Sequence, residues 1–196
     1  MALGRQAKII TDKQVRARLV ELDSRRYPLR DRVMFLLSMK SGLRAHEIAS
    51  VTWGMVTDAE GQIADVIALE KRATKGKSGR IIPMHPDLKA ALTALKRSRS
   101  EKACQELPVI FSERDRGLSA GAVAVWFFRL YRDLGMIGCS SHSGRRTIIT
   151  RAARKISGVG GSLRDVQQLA GHASLGRTAR YIEGDQEAQR KVVALI

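Results

Sequence analysis

The stretch HSGR at residues 142–145 is followed by GH at residues 171–172 and, nine residues after that histidine, by Tyr181. His142 and Arg145 are three residues apart, so on a helix their side chains are surface neighbours. We expect this helix to begin near Ser141, where the amide groups of the first turn attract an anion such as phosphate. A tyrosine beside Arg and His side chains suits the cleavage of a phosphodiester without a metal ion, because the tyrosine supplies a nucleophile and the cations stabilise the charge that builds on phosphate.

A second informative segment, residues 41–48, has the sequence SGLRAHEI. Gly42 predicts the end of one helix, and Arg44 opens the next, where the first turn favours phosphate. Glu47 lies three residues further on and is expected to hold the Arg44 side chain in place. Each motif has an ordinary alternative, a solvated cation at a helix end, so the inference depends on the whole set.

Residues 63–84 predict a β-hairpin. Residues 63–69 are apolar and strand-like, residues 71–79 form a turn rich in Lys and Gly, and residues 80–84 read as the return strand. The tip carries Lys75 and Lys77, which are suited to reach into a DNA groove. The alternative is a charged tip that stays solvated.

Together residues 142–145, residues 171–181, residues 41–48 and the hairpin resemble the catalytic domain of the tyrosine recombinases, the phage integrase family, from about Ile10 to Gly184. The resemblance implies a catalytic set, a supporting acidic residue, and further DNA-binding cations. The catalytic residues are Arg44, Lys75, His142, Arg145, His172 and Tyr181; the supporting residue is Glu47; the DNA-binding cations are Lys77, Arg80 and Arg146.

Two of these assignments have close competitors. Lys75 is preferred over Lys77 because it lies five residues before Arg80, in a context similar to the family's hairpin. The spacing from His142 selects Arg145 over Arg146, whose side chain would point about 100° away around the helix.

The resemblance also implies a mechanism. Tyr181 attacks a phosphodiester and forms a 3′-phosphotyrosyl linkage with release of a 5′-hydroxyl, while Arg44 and Arg145 clamp the non-bridging oxygens. Lys75 protonates the leaving oxygen, and the two histidines act in general acid or base catalysis or by hydrogen bonding. We expect no cofactor and no metal, since the sequence has no Walker loop, no paired-carboxylate site and no Cys/His cluster at zinc-ligand spacing.

Charge indicates the class of partner. The chain has 35 Lys and Arg against 19 Asp and Glu, a formal net charge of +16. Such an excess favours a polyanion, and with the resemblance it predicts double-stranded DNA carrying a specific recombination site. A signal peptide and a long apolar run are missing from the sequence, which predicts a cytoplasmic, nucleoid-associated protein with no membrane partner. Cys104 and Cys139 carry no motif and favour a reducing compartment.

The expected fold is mainly α with a small antiparallel β-sheet (α+β), the tyrosine-recombinase catalytic-domain fold. We expect a single catalytic domain over residues 1–196, with a core of about residues 10–184 and a tail at 185–196. Predicted helices begin after Thr11, at Pro28, at Pro86, after Ser119 and after Ser162. The aromatic run at residues 126–128 is expected to lie mostly in the core.

About ten residues precede the first predicted helix, so we expect the core-binding domain that most tyrosine recombinases carry there to be absent. The chain is then a short natural protein or an excised domain. The tail ends in five apolar residues, VVALI. It packs either on its own domain or, as the resemblance favours, on a neighbouring protomer, which predicts a tetramer on DNA. An accessory DNA-bending protein is a further possible partner.

Two other functions fit parts of the sequence. A DNA-binding accessory or regulatory protein would keep the fold with little or no catalysis, but every matched catalytic position is filled here. A type IB topoisomerase shares the chemistry but differs around the tyrosine. The preferred prediction is a site-specific recombinase that performs integration, excision or inversion.

Overall fold

Helices dominate the computed structural model, which describes residues 7–74, 79–99, 104–114, 116–181, 190, 193 and 194. Within these ranges the α-helices are α1 (Asp12–Leu22), α2 (Pro28–Ser41), α3 (Ala45–Ser50), α4 (Pro86–Arg97), α5 (Ala120–Asp133), α6 (Ser143–Lys155), α7 (Leu163–Ala170) and α8 (Leu175–Ala179). The contacts divide the chain into two compact units, Met1–Ile148 and Ile149–Ile196. The boundary falls inside α6.

The strands are β1 (Val66–Leu69) and β2 (Arg80–Pro83), which pair antiparallel in a two-stranded sheet. Their register places Val66 opposite Pro83 and Leu69 opposite Arg80. The prediction of a mainly helical fold with a small antiparallel sheet is confirmed. The strands are shorter than expected, because Ile63 lies outside β1 in an isolated antiparallel bridge with Thr57.

The predicted helix ends are confirmed by their caps. Thr11 and Gln14 form a capping box at the start of α1, and Ser162 forms another with Asp165 at the start of α7. Each box satisfies backbone amides that the first turn leaves without helical partners. Gly42 ends α2 with φ 66°, a left-handed conformation that glycine adopts at little steric cost.

The core of the first unit is built around α2. Residues 33–37 of this helix are all buried, the pattern of a helix that packs on every side. Helix α4 packs against α2 and buries Leu88, Leu92 and Leu95, and α5 packs against α3. Trp53, in a short 3₁₀ turn after α3, is 1% exposed.

The aromatic run of α5 is only partly in the core. Phe127 is fully buried, and Trp126 is half-buried, with its Nε1 donating to Asp31 Oδ2 at 3.3 Å. Phe128 is 58% exposed, so the prediction that it lies in the core is wrong. Consecutive helical residues point about 100° apart, and three in a row cannot share one face.

The second unit contains the end of α6, a 3₁₀ turn at Ile156–Val159, α7 and α8. Helix α7 packs against α8 and against the 3₁₀ turn, and it buries Val166 and Ala170. In the described ranges, every helix is too short or too polar to cross a membrane.

Candidate active site

Arg44 stands at the N-terminal cap of α3, and its side chain is 27% exposed. Glu47 folds back on it, as the three-residue spacing predicts. Glu47 Oε2 accepts the backbone N–H of Arg44 at 2.8 Å, and Oε1 accepts its Nη1 at 3.1 Å. The carboxylate therefore caps the helix and holds the arginine through its backbone and its side chain.

The same carboxylate binds a second arginine. Arg80 Nη1 donates to Glu47 Oε1 at 2.7 Å, and Nη2 donates to Oε2 at 3.1 Å. The Arg80 side chain is 10% exposed and that of Glu47 is 1% exposed. Arg80 was expected among the DNA-binding cations, but the structure places its guanidinium against a buried carboxylate.

Glu47 is ionised in this arrangement. Burial raises the pKa of its carboxyl, but hydrogen bonds and charge from Arg80, followed by those from Arg44, outweigh burial and lower the pKa below its ordinary value. Two guanidinium cations and one carboxylate anion together give this cluster a net positive charge. The cluster therefore attracts an anion.

Arg145 lies on α6 and is 2% exposed. Its Nη1 donates to the carbonyl of Gly42 at 2.8 Å. That carbonyl belongs to the left-handed residue that ends α2, where cations interact favourably with the helix dipole. The end of α2 therefore positions the guanidinium of Arg145.

Gly144 permits this approach of α6 to α2, and sequence reasoning missed its role. A Cβ at Gly144 would stand 2.2 Å from Ser38 Oγ, 2.9 Å from the Ser38 carbonyl carbon and 3.0 Å from its Cβ. Real side chains do not approach this closely, so the helices meet at this distance only with glycine. A close helix contact has no local sequence pattern that would have predicted it.

His142 immediately precedes α6, which begins at Ser143 and not near Ser141 as expected. Its carbonyl accepts the N–H of Arg146 at 2.9 Å, the first bond of the helix. His142 keeps much of its surface exposed, but partial burial of the imidazole, and then the positive charges of Arg44 and Arg145, lower its pKa. Both arginines therefore act on one imidazole, which stays neutral at neutral pH.

A second cluster lies in the second unit and contains His172 and Tyr181. Their rings stack with centroids 5.3 Å apart and planes 25° apart. His172 is 7% exposed, and its Nδ1 is 3.0 Å from the hydroxyl of Thr178. Gln167 Nε2 donates to the carbonyl of His172 at 3.0 Å. Sequence reasoning named neither Thr178 nor Gln167, because a buried hydroxyl or amide has no local signature.

Both the N–H and the carbonyl of Tyr181 form hydrogen bonds. Its N–H donates to the carbonyl of Thr178 at 3.0 Å, and its carbonyl accepts the hydroxyl of Thr150 at 2.9 Å. Tyr181 lies just after α8 and is half-buried. This anchoring fixes the point from which the phenol extends.

Tyr131 is another tyrosine of the first unit, and its surroundings exclude it as a nucleophile. It is 1% exposed and stacks on Phe127 with ring centroids 5.9 Å apart. Burial raises the pKa of its phenol far above the ordinary value. A phosphodiester has no access to this hydroxyl.

Several predicted residues fall elsewhere. Lys75 and Lys77 lie outside the described residues, and of the tail at 185–196 the structure describes only positions 190, 193 and 194. Arg146 is half-buried on α6. Over the described ranges, no three His, Cys, Asp or Glu side chains gather in a group suited to a metal ion.

Known proteins share this sequence pattern and this fold. The tyrosine recombinase XerC of Xylella fastidiosa (strain 9a5c) is 30% identical over 165 residues, which cover 84% of this chain and 52% of the relative. The tyrosine recombinase XerA of Thermococcus onnurineus (strain NA1) is 26% identical over 163 residues, 83% of this chain and 54% of the relative. The chain thus spans about half the length of these curated relatives.

Solved structures agree on the fold. The crystal structure of XerA recombinase superposes with a TM-score of 0.74 at 22% identity, covering 95% of this chain and 64% of that one. A post-cleavage complex of the XerH site-specific recombinase with a palindromic difH substrate gives a TM-score of 0.75 at 17% identity, covering 97% of this chain and 53% of that one. The sequence profile of the phage integrase family matches residues 8–188. The chain therefore belongs to the phage integrase family.

Proposed function

We propose that this protein is a site-specific DNA recombinase that breaks and rejoins DNA through a 3′-phosphotyrosyl intermediate. The observation that carries the proposal is Tyr181, stacked on the buried His172 at the spacing that resembles the family's nucleophile. Family membership and relatives that are named tyrosine recombinases support it. The solved neighbours include recombinases in complex with their DNA substrates.

In the proposed reaction, the phosphoryl group at the cleavage site is transferred from the 5′-oxygen of DNA to the tyrosine. The phenol oxygen of Tyr181 attacks phosphorus, a new P–O bond forms, and the bond from phosphorus to the 5′-oxygen breaks. The phenol proton passes to the imidazole of His142 or His172, or to water, and Lys75 donates a proton to the departing 5′-oxygen. The phosphotyrosyl linkage keeps the energy of the broken phosphodiester bond. Attack on it by a 5′-hydroxyl therefore reverses these steps and seals the strand.

Arg44 and Arg145 are proposed to hold the non-bridging oxygens during this transfer. Preorganised cations stabilise charge in the transition state without reorganising, and each is anchored: Arg44 by Glu47, and Arg145 by the Gly42 carbonyl. In the described ranges, the Arg44 guanidinium bonds Glu47 through Nη1, which leaves Nε and Nη2 for phosphate.

The partners are proposed on the same basis. Double-stranded DNA with a specific recombination site fits the net charge of +16. Assembly into a tetramer on DNA through residues 185–196, with an accessory DNA-bending protein, follows from the family resemblance. Deleting these residues should impair the synaptic complex, which native gels or mass photometry would resolve, while single-site binding persists.

The direct test is covalent capture. The binding site is first selected from random duplexes, and a nicked version of it then traps the intermediate on a denaturing gel. Tyr181→Phe should bind this duplex normally and form no adduct. Tyr131→Phe is the matched control and should form it at the normal rate. Tight binding by the unmodified protein with no adduct would instead identify an accessory DNA-binding protein.

A further inference from the structure

One buried carboxylate serves two arginines in the first unit. Glu47 receives two hydrogen bonds from the Arg80 guanidinium, one from the Arg44 guanidinium and one from the Arg44 backbone. Arg80 takes the parallel, fork-to-carboxylate geometry, the stronger of the two attachments. The Arg44 guanidinium donates to Glu47 Oε1 through a single nitrogen, Nη1.

These three residues come from separate elements. Arg80 opens β2, immediately after the hairpin tip, and pairs across the sheet with Leu69. Arg44 is the N-terminal cap of α3, and Glu47 lies in the first turn of that helix. Glu47 and Arg80 are 33 residues apart along the chain. The carboxylate therefore ties the return strand of the hairpin to the start of the helix that presents Arg44.

We propose that Arg80 is a positioning residue for the transfer reaction and does not itself contact DNA. It occupies both oxygens of Glu47, which limits Arg44 to a single side-chain bond and keeps the rest of that guanidinium for phosphate. Without Arg80, the buried carboxylate of Glu47 would bind two nitrogens of the Arg44 guanidinium and neutralise its positive charge. This inference rests on the proposed function, because it names how one proposed catalytic cation is kept available.

The same hairpin provides a matched control. Arg72 lies between the strands, pairs with Glu70 at 2.7 Å, and its side chain is 63% exposed. It has the same charge as Arg80 but is largely solvated. Removing Arg72 therefore reports the loss of one surface cation of the same hairpin, with no effect on Glu47.

The test separates DNA affinity from the rate of the chemical step. Single-turnover cleavage of the nicked duplex is measured at saturating protein, and Kd is measured as a function of salt, for Arg80→Met, Arg72→Met and Arg80→Lys. For Arg80→Met we expect cleavage at least about 10-fold slower, below the loss for removing a direct transition-state donor, with Kd within about 2-fold of the unmodified protein. Arg72→Met should keep the cleavage rate.

A double variant tests how Arg80 acts. In Arg80→Met with Glu47→Gln, the uncompensated carboxylate is gone, so cleavage should be at least about 3-fold faster than in Arg80→Met. A role in folding would leave the double variant as slow as the single one or slower. If Arg80→Met fails to fold in a thermal melt, Arg80→Lys takes its place. That variant keeps the charge but loses the fork, and it should cleave more slowly at unchanged Kd.

Two outcomes overturn the inference without touching the proposed function. One is a normal cleavage rate in Arg80→Met with a weakened Kd and a reduced salt slope, which would make Arg80 a DNA contact. The other is a double variant with no recovery. Failure of the unmodified protein to form any adduct on its selected site would refute the proposed function instead.

Discussion

Gly144→Ala tests whether the contact between α2 and α6 positions Arg145. The added Cβ would meet Ser38 Oγ at 2.2 Å and two further Ser38 atoms at 2.9 and 3.0 Å, one of them backbone. Overpacking of this kind costs about 1–3 kcal/mol. For a protein of this size, that lowers Tm by roughly 2–12 °C.

The same substitution should slow catalysis. The clash moves the first turn of α6, and Arg145 is the next residue on that turn. Misplacing a reacting group by about 1 Å can cost on the order of 10²-fold in rate. Single-turnover cleavage should therefore fall about 10- to 100-fold in Gly144→Ala, while DNA affinity changes little.

Gly158→Ala is the matched control, because a Cβ there meets nothing within 4 Å. It should leave both Tm and cleavage near their original values. Ser38→Ala supplies a partial rescue. Among the described residues the buried Ser38 Oγ has no hydrogen-bond partner, and its removal deletes the shortest contact while the others persist. Equal Tm values for Gly144→Ala and Gly158→Ala, or no coupling between Ser38→Ala and Gly144→Ala, would refute the close-packing argument.

Three further predictions concern single side chains. Arg145→Met should slow cleavage by at least about 10²-fold. Arg146→Met should mainly weaken DNA binding and lower by about one the slope of the logarithm of the binding constant against that of salt concentration. Equal losses of cleavage rate in the two variants would contradict this distinction. Thr178→Val removes the hydroxyl that lies 3.0 Å from His172 Nδ1. The loss of this buried hydrogen bond should slow cleavage roughly 10-fold at constant Kd, and an unchanged rate would contradict the role. Glu47 has a lowered pKa when folded, so its stabilising effect is complete above the unfolded carboxyl pKa of about 4.3 and is lost as pH falls through the folded value. Urea titrations from neutral pH to pH 3 should therefore show a flatter acid limb for Glu47→Gln, and an identical limb would contradict the ion-pair assignment.

The helix ends were predictable because their signals are local. Thr11 with Gln14, Ser162 and Gly42 mark caps through residues only a few positions apart, and all three are found where expected. The pairing of Arg44 with Glu47 is local as well, since three residues separate them on one turn.

The remaining features depend on tertiary contacts. Arg80 follows a basic loop, so its sequence context favours an exposed cation, and only the packing of β2 near α3 brings it to Glu47. Gly144 was overlooked for the same reason, because its partner Ser38 is distant in the chain. The aromatic run at residues 126–128 favours the core, but the helical turn directs Phe128 outward.

The division of the chain has a spectroscopic consequence. Both tryptophans of the sequence, Trp53 and Trp126, belong to the unit Met1–Ile148, and residues 149–196 contain none. Tryptophan emission therefore follows the unfolding of the first unit, whereas far-ultraviolet circular dichroism follows the helices of both. Coincident transitions in the two signals would mean that the halves melt as one cooperative unit, and a dichroism change without an emission change would assign the first melting step to the segment that carries Tyr181.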